Sequence, residues 1–155
     1  MRISAKADYA VRGMVELASS KVSESEPAKG DQLAQAQAIP PPFLENILAE
    51  LRVHGLVQSR RGANGGYWLG KPAGEITIAD VIRAVEGPLA TVRGESANEL
   101  DYRGSAAPLE QVWLALRTNI REVLELVTLE DVVSGSVPES VTTLAGQRTP
   151  EKASS

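Results

Sequence analysis

Cysteine is absent from all 155 residues. That excludes a disulfide framework, a thiolate nucleophile and any metal centre held by thiolates. Histidine occurs once, at His54, and no nucleophile–base pair suggests itself, so the chain is read as not an enzyme and no catalytic residue is assigned. Aromatics are scarce, with one Phe, two Trp and three Tyr, which makes any core largely aliphatic without choosing a fold class. No uncharged apolar run approaches the roughly 20 residues of a spanning helix, and the opening segment Met1 to Asp8 carries charge throughout. The expectation is a cytoplasmic protein with no membrane partner. A phosphate loop is missing too, because Gly62-x-x-Gly65-Gly66 lacks the lysine and the following helix.

Charge is modest and unevenly spread. A net −4 speaks at first against a nucleic-acid partner. Residues 1–71, however, hold nine Lys and Arg against seven Asp and Glu, while residues 72–155 hold seven against thirteen. A first half at +2 and a second at −6 fit a chain whose N-terminal part meets DNA and whose C-terminal part does something else.

Ile3, Ala7, Ala10, Met14 and Leu17 recur at spacings of four and three, with Val11 and Ala18 widening the stripe. This predicts an amphipathic helix to about Ser19. Residues 23–27, Ser-Glu-Ser-Glu-Pro, break it. A short second helix, capped by Asp31, is expected through Leu33 and Ala34. Proline suits a first helical turn, so Pro41 or Pro42 opens a third helix that runs through His54 and stops at Gly55. There Leu44, Ile47, Leu48 and Leu51 share one face, while Pro42, Glu45, Asn46, Ala49 and Val53 project elsewhere. A short helix, a turn and a helix with polar residues on its outer first turns match a helix-turn-helix; a plain three-helix bundle explains the leucines equally well.

The bundle does not explain the segment after Gly55. Leu56 to Leu69 holds two short apolar runs around Arg60, Arg61, Gly62, Ala63, Asn64, Gly65 and Gly66. Asn64, Gly65 and Gly66 can adopt positive φ cheaply, so the chain can reverse tightly into an antiparallel hairpin that projects both arginines. Such a ribbon has the shape and charge to enter a minor groove; the alternative is a solvated hairpin with two surface cations. Beyond it, Thr77 and Asp80 form a capping box for a helix through Ile78, Val81, Ile82 and Val85, ended by Gly87-Pro88. Residues 88–108 lack periodicity and read as a mobile loop. Leu109, Val112, Trp113, Leu116, Ile120, Val123, Leu124 and Val127 then trace a long helix whose apolar stripe exceeds what one small domain needs to cover. The fold class is therefore mainly α with a small β-hairpin: a winged helix-turn-helix domain (1–87), a sensor or linker loop (88–108), a dimerisation helix (109–133) and a partly disordered tail (134–155).

These residues resemble the Rrf-two superfamily of bacterial winged-helix transcription regulators. The likeness lies in Ser4-Ala5-Lys6-Ala7-Asp8-Tyr9-Ala10-Val11-Arg12, in Phe43-Leu44-Glu45-Asn46-Ile47-Leu48 with Leu51-Arg52, and in Gly55-Leu56-Val57. It continues through Ser59-x-Arg61-Gly62-x-x-Gly65-Gly66-Tyr67-x-Leu69 and Ile78 to Pro88. The resemblance implies a homodimer on a pseudo-palindromic operator in double-stranded DNA, probing a major groove with each recognition helix and the adjacent minor groove with each wing. It assigns base contacts to Pro42, Phe43, Glu45, Asn46 and the wing's Arg61. It assigns backbone contacts to Arg2, Lys6, Tyr9, Arg52, Ser59, Arg60, Gly62, Asn64, Gly65, Gly66 and Tyr67. Pro41 and Pro42 stand where relatives can offer a hydroxyl, which shifts readout toward Asn46, suited to adenine, and Glu45, suited to cytosine.

The resemblance also implies a sensor loop, where cluster-binding members use three cysteines. This chain has none, so no iron–sulfur cluster, metal or other cofactor is expected. Asp8, which in some relatives supplies a carboxylate ligand, is read here as a surface or capping residue. The expected signal is a small molecule or a partner enzyme acting on a region with Arg93, Glu95, Glu99, Asp101, Tyr102 and Arg103; a solvated linker accounts for the same residues. The leading reading is a dimeric repressor, and the alternative is a winged-helix interaction adaptor with weak or no DNA binding.

Overall fold

A computed structural model describes residues 2–146. Helix α1 (Ala5–Ser19) opens on Ser4, whose Oγ accepts from the Ala7 amide at 3.0 Å and donates to Glu86, fastening the start of α1 to the end of α4 (Ile78–Glu86). Between them lie α2 (Gly30–Ala36), α3 (Pro41–Val53) and the hairpin of β1 (Val57–Arg60) and β2 (Gly66–Leu69). The strands pair antiparallel in the register Val57 to Leu69 and Arg60 to Gly66. Met14 and Leu17 of α1, Leu44, Leu48 and Leu51 of α3, and Val57, Ile76 and Val81 around them are all buried. The helical period thus aims one aliphatic set inward, as the stripes predict except at Ile3, which precedes α1 and is exposed.

Three expectations change. Asp31 does not cap α2: Lys29 occupies the cap position without a side-chain bond, and Asp31 lies in the first turn, accepting from the Gln32 amide at 3.0 Å. The 88–108 loop is folded. It holds a second hairpin, β3 (Thr91–Val92) with β4 (Glu95–Ser96), and two short 3-10 turns, and it buries Ala97 and Leu100. The long helix, α5 (Leu109–Leu126), stops earlier than 133. Val127 is extended and buried, so it leaves the apolar stripe of α5. Thr128 then caps a new helix, α6 (Leu129–Ser134), through a capping box with Asp131. Within the tail, Glu139–Gly146 forms α7; the expected loose order at its very end, residues 147–155, lies outside the described residues.

The chain reverses at Val127 because its backbone is claimed by the body. Ile78 N–H donates to Val127 O and Leu129 N–H donates to Ile76 O, both at 2.9 Å. Leu129 is fully buried in the core formed with α1. Helix α5 is therefore a spur between two anchored ends, with no buried residue of its own. A surface ion cluster ties it to α4, where Arg83 and Arg121 both donate to Glu125.

Leu48→Ala, at a fully buried site, is expected to cost about 2–5 kcal/mol in urea unfolding. Val53→Ala, at a site 79% exposed, is expected to stay within about 0.5 kcal/mol. The hydrogen bonds from Arg83 and then Arg121 hold the Glu125 carboxyl below its usual range. A lowered carboxylate pKa stabilises the fold above the ordinary carboxylate range and ceases to do so as pH falls through the lowered value. The stability difference between the native chain and Glu125→Gln should be small, largest near neutrality and vanishing in acid; a pH-independent difference in thermal midpoint would contradict it.

Candidate nucleic-acid interface

Burying Leu44, Ile47, Leu48 and Leu51 leaves the opposite face of α3 to solvent. Pro42, Phe43, Glu45, Asn46, Ala49 and Arg52 are all exposed there. Phe43 is 61% exposed, an unusual position for the chain's one phenylalanine unless it meets something. Proline at the first helical position sets the helix start without side-chain capping.

The wing begins where α3 ends. Gly70 N–H donates to Leu56 O at 2.9 Å, closing the base of the hairpin beside the buried Leu56 and Val57. At the tip, Gly62 takes φ +104, and Gly65 N–H donates to Gly62 O at 2.9 Å. Asn64 and Gly65 do not use the positive φ open to them. Gly65 is required for closeness instead: a Cβ there would stand 2.0 Å from Arg60 O. Across the strands, the Trp68 indole donates to Gln58 at 3.1 Å.

Wing and helix face each other over a concave space of about 380 Å³ lined by Lys29, Arg52, Ser59, Arg60, Arg61 and Tyr67, with wing glycines between. The cations in and around it are differently engaged. Arg60 Nη2 donates to Asn64 O at 2.9 Å, and Arg52 reaches Ser59 Oγ at 3.4 Å. Arg61 is exposed and makes no hydrogen bond or ion pair among the described residues. Lys6 pairs with Glu50 of α3 at 2.9 Å, and Tyr9 is half-buried beneath the Arg12 guanidinium, 5.5 Å from its ring centre. Two expected backbone-contact residues are committed internally: Gly65 is buried with its amide on Gly62, and the Tyr67 amide donates to Ala28 O. Arg2 lies elsewhere, lining the groove between α4 and α5.

That groove, about 780 Å³, is mostly apolar. Ile82, Leu89 and Val92 face Trp113, Leu116, Ile120 and Leu124 across it. On α5, Leu109 is 39%, Val112 52% and Leu116 36% exposed; Val123 is half-buried. Of the expected effector residues, Arg93 sits at the β3–β4 turn, while Glu95, Glu99, Asp101 and Arg103 are exposed. Tyr102 is half-buried and accepts from the Trp113 indole at 2.9 Å, tying the loop to α5.

Lys29 was not foreseen. Its Nζ donates to Ala63 O and to Gly65 O, each at 2.6 Å. One signal was present in the sequence: a cation at a helix N-terminus opposes the helix dipole and so invites another explanation.

Residues 3–135 match the family described as "Rrf2: Iron-dependent Transcriptional regulator". The Mycobacterium tuberculosis (strain ATCC 25618 / H37Rv) protein named "Putative HTH-type transcriptional regulator Rv1287" is 52% identical over 145 residues, 94% of this chain and 89% of that one. The solved structure of CymR, titled the global cysteine regulator of B. subtilis, superposes with TM-score 0.72 at 36% identity, covering 87% of this chain and 98% of the other. IscR of T. potens does so with TM-score 0.68 at 30% identity, covering 96% and 93%. The family description names iron, but the residues here do not fit an iron–sulfur cluster. There is no thiolate in the chain, and no group of three His, Asp or Glu side chains stands together among the described residues. Asp8 instead pairs with Arg12 at 3.0 Å, and the His54 ring rests on Glu50 O at 3.0 Å.

Gly65→Ala should open the wing turn, because the new methyl meets main-chain atoms rather than a movable side chain. NMR is expected to show loss of the Gln58–Trp68 cross-strand contacts with helical circular dichroism unchanged. Retention of those contacts would refute the steric reading.

Proposed function

The chain belongs to the Rrf2 family of transcriptional regulators, and on that premise we propose that two copies read a pseudo-palindromic operator in double-stranded DNA and act as a repressor in the cytoplasm. The observation that carries this is the joint presentation of the exposed α3 face, Pro42 to Asn46, and the unengaged Arg61 on the wing beside it. Helix α3 has the width a major groove accepts, and its first turns carry the readout. Asn46 offers an amide suited to adenine, Glu45 an acceptor for cytosine, and Phe43 with Pro42 an apolar surface for thymine methyls. Arg61 enters the neighbouring minor groove, where narrow segments concentrate negative potential.

Phosphate contacts hold the register without specifying sequence. The wing segment from Gly62 to Asn64 is exposed for them, and Arg52 and Ser59 make them by giving up the bond between them. Lys6 and Arg60 contribute only by exchanging an internal partner for phosphate. Tyr9 is half-buried beneath Arg12, and Arg2 lines the groove beside α5, which fits the dimer interface better.

Dimerisation is supported by the uncovered apolar residues of α5 and the groove beside them, which a second copy's α5 would cover. A two-fold pair then sets the recognition helices about 34 Å apart, one turn of DNA. The response to a small molecule or partner enzyme is assigned to the 88–108 loop, because the Tyr102–Trp113 bond carries a change in the loop to the helix that fixes this spacing. The family and relatives are transcriptional regulators, not enzymes.

Mobility shifts on the gene's own promoter should show affinity falling steeply and log-linearly with salt. Arg61→Ala is expected to cost about 1–3 kcal/mol of specific binding; unchanged affinity would remove the wing from the interface. Binding absent across promoters would favour the adaptor. Val112→Glu with Leu116→Glu should convert a dimer to a monomer in sedimentation velocity, and a dimer that persists would place the interface elsewhere.

A further inference from the structure

Lys29 draws its significance from what surrounds the wing turn. Ala28 and Tyr67 exchange both main-chain hydrogen bonds, Ala28 N–H to Tyr67 O at 2.8 Å and Tyr67 N–H to Ala28 O at 2.7 Å. The segment before α2 is thus a one-residue third strand alongside β2. The approach is tight, since a Cβ on Gly66 would stand 2.3 Å from Ala28 O. From this seat Lys29 reaches across to the turn and takes Ala63 O and Gly65 O. The carbonyl between them, Asn64 O, is taken by Arg60. Three consecutive carbonyls of the tip therefore end on two cations that belong to the protein itself.

This arrangement does two things. It fixes the turn's conformation from outside the hairpin, which four-residue strands cannot do for themselves. It also directs the negative ends of three peptide dipoles at cations, where an unclamped tip would offer them to incoming phosphates. Arg61 then remains as the wing-tip cation with no internal partner among the described residues.

We infer that Lys29 is a positioning residue for DNA recognition: it clamps the wing turn and thereby sets the aim of Arg61. The inference concerns a residue outside both reading elements, and its DNA arm rests on the proposed function. Lys29 acts through Arg61, so the two must be energetically coupled, whereas a lysine that merely touches a phosphate contributes independently.

The test uses the full chain. Lys29→Met and Lys29→Gln keep most of the side-chain length without the charge, and Lys29→Arg restores a cation. In the absence of DNA, amide exchange at the wing should accelerate in the Met and Gln variants and return toward native in Lys29→Arg, with exchange in α1 and α3 unchanged. On operator DNA, Lys29→Met should weaken binding on the order of tenfold, the scale of a lost charged hydrogen bond. In the Arg61→Ala background the same change should have almost no effect. Wing exchange unaltered by Lys29→Met or Lys29→Gln overturns the clamp, and so does an effect on binding that simply adds to that of Arg61→Ala. If one variant fails to fold, the other carries the exchange measurement. Accelerated wing exchange in a chain that binds no promoter would fault the DNA reading and leave the clamp standing.

Discussion

A two-stranded hairpin with four residues a side does not hold its shape in water, so a reading element built on one depends on what braces it. Here the brace is the reciprocal main-chain pair between Ala28 and Tyr67. It joins β2 to the start of α2, and α2 packs on α3 through the buried Leu33 and Ala34. At the hairpin's other end Leu56 and Val57 are embedded in the same core. Helix α3 and the wing are consequently one body, and the separation between Asn46 and Arg61 is set by packed aliphatic side chains rather than by a free loop. In the proposed complex, that rigidity lets a helix in one groove and an arginine in the next act as a single reader.

The opposite half of the chain is built on the same principle of anchored ends. Two capping boxes of the same pattern, Thr77 with Asp80 and Thr128 with Asp131, stand beside each other across the Thr77–Thr128 bridge. They start α4 and α6 from neighbouring points and return Leu129 to the core. Between these anchors α5 is held by little more than the Arg83–Glu125–Arg121 cluster and the loop that covers Trp113. An element packed so lightly is suited to move or to find a partner. For the same reason α6 cannot be removed to isolate the N-terminal unit, because Leu129 would be missing from the core.

Much of this was legible from residue spacing. The stripes of α1 and α3, the Thr77 cap, the stop at Gly55 and the hairpin after it all follow from local period and turn chemistry, and local and tertiary preferences agree there. Where they conflict, the sequence misled. The stripe on α5 runs unbroken through Val127, and it concealed Thr128, whose Thr-x-x-Asp pattern is the one recognised at Thr77. The 88–108 loop showed no period because its order rests on two buried residues, Ala97 and Leu100, and on a turn through Arg93 and Gly94, both at positive φ. Asparagine–glycine advertises such a turn and arginine–glycine does not. In the candidate site, the outer face of α3 and Arg61 were readable, because exposure follows from burying the leucines. The engagement of Arg60, Lys6, Gly65 and Tyr67 was not, and neither was Lys29, whose partners lie 34 and 36 residues away.

The central claim, that α3 and the wing read DNA as one rigid unit in a two-fold pair, is tested most directly by footprinting on a fragment selected from a random duplex library. Guanine methylation reports the major groove and hydroxyl radicals the minor groove. The expected pattern is two major-groove windows about 10 base pairs between centres, each flanked on its outer side by minor-groove protection. Major-groove windows without flanking minor-groove protection, or a single undivided window, would contradict the claim.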